Sequence, residues 1–264
     1  MNFPDQLDAA VREHPFPLLF ATVSGAHLYG FPSPDSDWDL RGVHVLPARE
    51  VLGLMAVQDT VQVMNDPHLE RAGTPARGPD IELDLVTHDA HKFFSLMLRR
   101  NGYVLEQLHS PLVVHTTPEH AELREIAAGC VTRHHAHHYL GFSANQWKLF
   151  AKESPQRVKP LLYTFRTLLT GLHLMRTGET EADLRVLNRE AGLTYLDELI
   201  ELKTTGTEHE TLRGTPTFFE QEWRRLTAEL ERARDESGLR AEVALETKQT
   251  LSDLLVRLRL KDMK

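Results

Sequence analysis

The chain has 264 residues, 41% of them hydrophobic and 26% charged, and a formal net charge of −8, which is typical of a globular protein with one large or two modest domains. The negative charge disfavours non-specific binding to nucleic acid, and the single cysteine, Cys130, excludes an internal disulfide. Without a roughly 20-residue apolar run or a basic leader, the sequence predicts a cytoplasmic protein that does not enter the membrane.

The first part of the sequence alternates between strand and helix signals. Strands are predicted over residues 18–23, 37–46, 60–64 and 81–86. Helices are predicted over residues 4–14, from 88 to the Asn101-Gly102 cap, and over 103–109. The stretch 65–80 is rich in proline, glycine and charge, which predicts an exposed loop.

Beyond about residue 118 the strand signals stop and helical periodicity takes over. Helices are predicted over 118–128, 131–151, 156–177, 181–191, 194–204, 217–235 and 239–262. The predicted fold class is therefore α/β (α+β). A small mixed sheet flanked by helices occupies residues 1–125, and an all-helical domain follows over 126–264.

The strongest chemical signal is the stretch 24–42, SGAHLYGFPSPDSDWDLRG. Asp37 and Asp39 are separated by the single residue Trp38 in a predicted strand, so their side chains point to the same side. Two like charges this close repel unless a cation lies between them, and carboxylates suit Mg²⁺ or Mn²⁺. The preceding glycine-flanked turn can approach a phosphate closely. The pattern predicts a metal-dependent phosphoryl-transfer site.

This stretch resembles the signature of the DNA polymerase β-type nucleotidyltransferase superfamily, a Gly-Ser turn followed by Asp-x-Asp. More narrowly, Ser24-Gly25, Tyr29-Gly30 and the run from Ser36 to Gly42 resemble the YcgL-like family of predicted nucleotidyltransferases, some of which are associated with RNA ligases. The family usually has serine directly after the glycine, where this chain has Ala26. Either Ser24 substitutes for that hydroxyl or nucleotide binding is weakened.

A third carboxylate is expected from the strand 81–86, where Glu82 and Asp84 share the face opposite the apolar residues. The resemblance selects Asp84, because the segment from Asp84 to Lys92-Phe93 is similar to the family's third acid and following helix. It also matches Asn101 and Glu106 to family positions. The resemblance then implies a two-metal mechanism in which Asp37, Asp39 and Asp84 are catalytic and bind Mg²⁺ or Mn²⁺.

Candidate nucleotide-binding residues are Ser24, Gly25, Ser36, Arg41, Lys159 and Arg166. Arg41 could contact a phosphate, orient an acid or form a plain surface ion pair. Lys159, Tyr163 and Arg166 share one helix face and resemble the family's Lys…His…Arg helix, with Tyr163 where histidine is common. This face could hold the triphosphate or the acceptor backbone; the alternative is an amphipathic helix with solvated cations.

Two further features favour structural roles. His134 and His138 are spaced as a pair of helical zinc ligands would be, but no acid or third histidine at suitable spacing completes a metal site. Partly exposed histidines are the expected outcome. Cys130 lies among small apolar residues, which favours a buried, inert thiol over a nucleophile.

The sequence therefore predicts a nucleotidyltransferase that moves an NMP from an NTP to an acceptor hydroxyl and releases pyrophosphate. The acceptor could be an RNA 3′ end, a protein side chain or a small molecule, and the link of relatives to RNA ligases favours RNA end processing or repair. The alternative is a catalytically impaired nucleotide-binding accessory or regulatory protein, such as an RNA-ligase partner or a toxin–antitoxin component. Ala26 favours this second hypothesis.

Overall fold

The computed structural model describes residues 3–65, 81–207, 209–212 and 216–261. The strands are β1 (Leu18–Val23), β2 (Trp38–His44), β3 (Thr60–Asn65), β4 (Leu83–Asp89) and β5 (Val113–Thr116). The helices of the first half are α1 (Asp5–Arg12), α2 (Gly25–Leu28), α3 (Ala48–Leu52), α4 (Ala90–Leu98), α5 (Gly102–His109) and α6 (Pro118–Ala128). Those of the second half are α7 (Ala136–Lys152), α8 (Val158–Thr177), α9 (Leu184–Ala191), α10 (Thr194–Thr205), α11 (Pro216–Glu236) and α12 (Leu245–Lys261).

The five strands of the described chain form one sheet in the order β3-β4-β2-β1-β5. Strands β2 and β4 are parallel, and every other neighbouring pair is antiparallel. The central parallel pair needs a crossover, which the chain makes through α3 and β3. The predicted small mixed sheet flanked by helices, followed by helices alone after α6, is confirmed.

Strand β4 begins and ends later in the sequence than predicted. Its side chains alternate between buried and half-buried, as the sequence pattern predicts, but the strand runs to residue 89 rather than 86. Its register with β2 continues to the pair His44 and Asp89. Asp89 then caps α4 by accepting a hydrogen bond from the His91 amide at 3.0 Å. Strand β5 and helix α3 were not predicted, and residues 66–80 of the predicted loop lie outside the described residues.

Two apolar clusters lie on opposite faces of the sheet. The smaller is made by Leu7, Ala21, Val23, Leu40, Leu83 and Leu85, beneath α1. The larger begins at Leu19 in β1 and continues without a break to Leu258 in α12. Helix α8 lies inside this larger cluster, with fifteen of its residues buried. The helices after residue 126 therefore share one apolar core with residues of the sheet, and a division into domains at that point stays a prediction.

The C-terminal helix is also tied to the sheet by charge. Arg259 of α12 pairs with the buried carboxylate of Asp89 at the end of β4. It also donates to the carbonyl of Leu46 at 2.7 Å. Among the described helices none combines the length and apolarity needed to cross a bilayer.

Candidate active site

Two of the three predicted acids face each other on neighbouring strands. Asp39 of β2 and Asp84 of β4 are paired in the parallel register. Their side chains are 28% and 25% exposed, so both reach solvent. The amide of Ser24 donates to the carbonyl of Asp39 at 2.8 Å, which brings the glycine turn beside the first acid.

The side chain of Arg41 joins these two carboxylates. Its Nη2 donates to Asp39 Oδ1 at 2.6 Å and to Asp84 Oδ2 at 2.8 Å. Nη1 donates to the main-chain carbonyl of Asp84 at 2.6 Å, and Nε donates to the Tyr103 hydroxyl at 3.1 Å. Arg41 follows Asp39 by two residues in β2, so both side chains leave the strand on the same face. Of the three roles considered for Arg41, its contacts correspond to the orientation of the acids.

The electrostatics of Asp39 show which other charges lie nearby. Burial raises the pKa of Asp39 above its usual value, and the negative charges of Asp84 and Asp37 raise it further. The positive charges of Arg41 and Lys159 act in the opposite direction. Asp37, from the turn before β2, and Lys159, from the first turn of α8, are therefore within electrostatic reach of Asp39.

Gly25 has a steric reason to be glycine. Its φ angle is +61°, a conformation that L side chains rarely adopt. A Cβ at this position would lie 1.9 Å from Asp39 Oδ2. The start of α2 is thus packed against the carboxylate itself, which defines where the Asp39 side chain can lie.

Ser24 and Ala26, the two positions compared for the missing hydroxyl, lie in different surroundings. Ala26 is only 5% exposed and belongs to the larger apolar cluster, so a hydroxyl there would enter the core. The Ser24 Oγ is buried and has no hydrogen-bond partner among the described residues. A buried polar atom without a partner is costly and calls for an explanation. The local geometry favours Ser24 over position 26 as the hydroxyl that serves a ligand.

Ser36 lies in a closed turn just before Asp37. Its Oγ accepts from the Ser33 amide at 3.0 Å and lies 2.9 Å from the Ser33 hydroxyl. The Ser33 hydroxyl in turn accepts from Lys203 Nζ of α10 at 2.5 Å. The predicted nucleotide contact Ser36 is thus part of a turn that α10 holds in place.

Arg166 is not brought to the acids. It is 3% exposed and pairs with Glu106, 1% exposed, at 2.8 Å. Its guanidinium also lies 3.9 Å from the centre of the Tyr29 ring. The predicted cationic face of α8 is therefore divided: Lys159 acts on the acids, and Arg166 braces the end of the glycine turn from within the core. Asn101, the other matched family position, caps α5 by accepting from the Tyr103 amide at 2.9 Å.

The members of the histidine cluster differ in exposure: His134, His137 and His138 are at least partly exposed, as expected, but His135 is not. His135 is fully buried and bonds through its ring to Thr132, while the rings of His134 and His137 are stacked with centroids 5.8 Å apart. Burial raises the pKa of the Cys130 thiol to about 11, which leaves it protonated and unreactive at neutral pH.

The acid group fits a divalent cation in its chemistry. Asp37, Asp39 and Asp84 offer the oxygen ligands that Mg²⁺ and Mn²⁺ prefer, and two of them already share a positive charge. That charge is the Arg41 guanidinium. Over the described ranges no three His, Cys, Asp or Glu side chains converge as metal ligands would.

Sequence reasoning missed several residues of this site. Gln62 of β3 donates to Asp84 Oδ1 at 3.2 Å. Tyr103 of α5 accepts from Arg41, and Lys203 of α10 donates to Ser33. Gln62 could have been found from the alternation of β3, but the two others lie far along the chain from their partners.

Two relatives are similar to this chain. YcgL of Bacillus subtilis, an uncharacterized protein, is 24% identical over 214 residues, or 77% of this chain and 76% of YcgL. The uncharacterized protein MJ0002 of Methanocaldococcus jannaschii is 30% identical over 165 residues. That match spans 62% of this chain and 63% of MJ0002, a little under two thirds of the relative. The predicted YcgL-like relationship is confirmed.

Among solved structures, a nucleotidyltransferase-like protein from Exiguobacterium sibiricum covers 98% of this chain at 10% identity. The match takes in 78% of that protein, and its TM-score of 0.31 is too low to show a common fold. The sequence itself is decisive, because the model of RlaP, the RNA repair pathway DNA polymerase beta family, matches residues 2–257. The chain belongs to the RNA repair pathway DNA polymerase beta family.

Proposed function

We propose that this protein is a metal-dependent nucleotidyltransferase that moves an NMP from an NTP to an acceptor hydroxyl and releases pyrophosphate. The observation that carries the proposal is the register of β2 and β4, which sets Asp39 directly opposite Asp84. The glycine turn packed against Asp39 and the family membership of the chain support it.

In this proposal Asp37, Asp39 and Asp84 hold Mg²⁺ or Mn²⁺. A bound ion would neutralise charge on the phosphates and activate the attacking hydroxyl. The side chains supply the rest. Lys159 offsets the negative charge of the triphosphate, since its own charge already acts on Asp39. Arg41 holds both carboxylates in place until substrate arrives, and Asp84, a quarter exposed, accepts the proton of the acceptor hydroxyl.

We propose an RNA 3′ end as the acceptor. The description of the family names an RNA repair pathway. The net charge of −8 on the chain argues against general affinity for nucleic acid. Recognition would therefore depend on local cations such as Lys159, and an RNA ligase is the proposed partner that acts on the same ends.

A second candidate function is a nucleotide-binding accessory protein without transfer activity. Two observations favour it. The Arg41 guanidinium occupies the place between Asp39 and Asp84, and position 26 is an alanine buried in the core.

Transfer of label separates the two candidates. The protein is incubated with Mn²⁺ and each labelled NTP, with RNA ending in a 3′ hydroxyl, with the same RNA ending in a 3′ phosphate, and without acceptor. Asp37→Ala and Asp39→Ala are compared with the control Asp235→Asn. Asp235 is an exposed acid of α11 whose ion pair in the described chain is with its neighbour Arg234.

Label on the hydroxyl-ended RNA alone, lost in both acid variants and kept in Asp235→Asn, supports the transferase and its RNA acceptor. Binding of NTP without transfer to any acceptor supports the accessory protein. Transfer that survives both acid substitutions contradicts the proposed site.

A further inference from the structure

A buried lysine lies under the turn that leads into the acids. Lys203 is fully buried, with 0% of its surface exposed, although lysine is among the residues least often found inside proteins. It belongs to α10, in the helical half of the chain, and its Nζ donates to Ser33 Oγ at 2.5 Å. The two residues are 170 positions apart in the sequence.

Ser33 closes the turn that this lysine supports. The Ser36 amide donates to the Ser33 carbonyl at 3.1 Å. In return the Ser33 amide donates to Ser36 Oγ at 3.0 Å, and the two hydroxyls lie 2.9 Å apart. The turn therefore has hydrogen bonds in both directions, and the next residue along the chain is Asp37.

The start of β2 lies directly beyond this turn. Trp38 stacks on His27 of the glycine turn with ring centroids 3.9 Å apart, so the strand enters the sheet beside Gly25. A shift of the Ser33–Ser36 turn would move Asp37 and Trp38 together. An ammonium is costly to bury, and an apolar side chain of similar length could fill the same space, so packing alone does not explain a lysine here.

We infer that Lys203 is a positioning residue for the acid site: it fixes the Ser33–Ser36 turn and through it the placement of Asp37. This inference rests on the proposed function for its catalytic consequence, but its structural part does not. It also gives the helical half of the chain a direct part in building the acid site, through one side chain of α10.

The test uses the three tryptophans of the chain, Trp38, Trp147 and Trp223, labelled with 5-fluorotryptophan and observed by fluorine NMR. Lys203→Met keeps the length of the side chain and removes the ammonium, and Ser33→Ala removes the hydroxyl of Ser33 that accepts from it. The matched control is Leu230→Ala. Leu230 is a fully buried residue of α11 beside Gly171, so its truncation should lower stability at a place away from the turn.

Lys203→Met and Ser33→Ala are each expected to shift or broaden the Trp38 resonance, with no further change in the double variant. Leu230→Ala should leave that resonance in place. Under conditions where all variants are folded, Lys203→Met should lower kcat for NMP transfer roughly 10- to 100-fold, as expected for a displaced catalytic group, with the KM for the acceptor unchanged.

An unchanged Trp38 resonance in Lys203→Met overturns the inference. So does a loss of kcat no larger than in Leu230→Ala. If the wild-type protein transfers no nucleotide, the proposed function fails, and the Trp38 resonance still decides whether Lys203 positions the turn.

Discussion

Gly25 and Asp39 are in such close contact that the backbone of one defines the position of the carboxylate of the other. The missing Cβ would overlap Asp39 Oδ2, and the φ angle of +61° adds a second requirement for glycine. A glycine can be needed for its conformation or for the space it leaves, and at this position both reasons apply. They can be separated by experiment, because Gly192 has a similar φ of +65° with nothing within 4 Å of its missing Cβ.

Gly25→Ala should lower the proposed transfer activity at least about 100-fold, because it displaces the carboxylate of Asp39, which the proposal makes catalytic. Gly192→Ala should lower the free energy of unfolding by about 1–2 kcal/mol, the cost of a left-handed alanine, and leave activity intact. Urea unfolding and steady-state kinetics on both variants measure the two effects. Equal activities would show that the contact with Asp39 is unimportant.

Arg41→Gln should destabilise the protein in the absence of divalent ions. The loss should be about 2 kcal/mol, less than the ~3–5 kcal/mol of a fully buried pair, because the acids are a quarter exposed. Adding Mn²⁺ should raise the melting temperature of this variant more than that of the wild type, because the ion replaces the lost charge and binds only the folded state. Arg225→Gln, which removes a surface ion-pair partner of Glu222, serves as the control and should show the wild-type response. Identical Mn²⁺ responses in all three proteins would argue against a cation site at these acids.

Ser24→Ala should leave stability unchanged or slightly higher, because the hydroxyl has no partner within the described structure. Its affinity for NTP should fall roughly 10- to 100-fold, the loss of one hydrogen bond to a charged group. Ala26→Ser should do the reverse: a buried hydroxyl costs about 1–3 kcal/mol in stability, with no gain in affinity. Thermal melts and NTP titrations measure both. A gain in affinity in Ala26→Ser would show that position 26 serves the nucleotide after all.

The buried pair of Arg166 and Glu106 should be sensitive to single substitutions. Arg166→Met or Glu106→Gln should each cost about 3–5 kcal/mol, because the remaining group stays buried without its partner, and the double variant should lose less than the sum. Arg176 and Glu229 form the control pair, since Arg176 is 59% exposed and exposed pairs contribute about 0.2–1 kcal/mol. Urea unfolding of the double-mutant cycles gives both coupling energies. Similar values for the two pairs would contradict the buried geometry.

Stability should fall as the pH drops from about 6.5 towards 4. Burial lowers the pKa of His44 and His135 to about 4. The unfolded chain takes up these protons near pH 6.5, and the folded chain only near pH 4, so acid favours unfolding. Each histidine should contribute about 1.4 kcal/mol per pH unit across this interval, with the full stabilisation present above pH 6.5.

Unfolding free energies at pH 7 and pH 5 measure this slope. His44→Gln, which keeps a polar group for Thr87, should flatten it by one histidine's share. The exposed His137→Gln is the control. A slope that His44→Gln does not change would show that His44 is not the group that resists protonation.

Local patterns were sufficient to place Asp39 in a strand, because the side-chain period of a strand depends on a few neighbouring residues. Asp37 was expected in the same strand but lies just before β2. Glu82 and Asp84 were also placed on one polar face by alternation. The choice of Asp84 needed the family resemblance, since pairing of Asp39 with Asp84 depends on a register between strands 45 positions apart.

The partners of the cations could not be predicted in the same way. The pattern of α8 left a solvated cationic face open as an alternative. In the structure most residues of the helix are buried, and Arg166 is one of them. Nothing in the periodicity of α10 marks Lys203 as a partner of Ser33, because the two residues are 170 positions apart and meet only in the folded chain. Tertiary packing decides such contacts.

The guanidinium of Arg41 affects whether folding depends on metal binding. Many small metal sites are assembled only when the ion arrives, so that folding waits for metal. Here Asp39 and Asp84 already have a counter-charge from their own chain. Under the proposed function, this counter-charge means that folding does not have to wait for the metal ion, which would bind later together with the nucleotide.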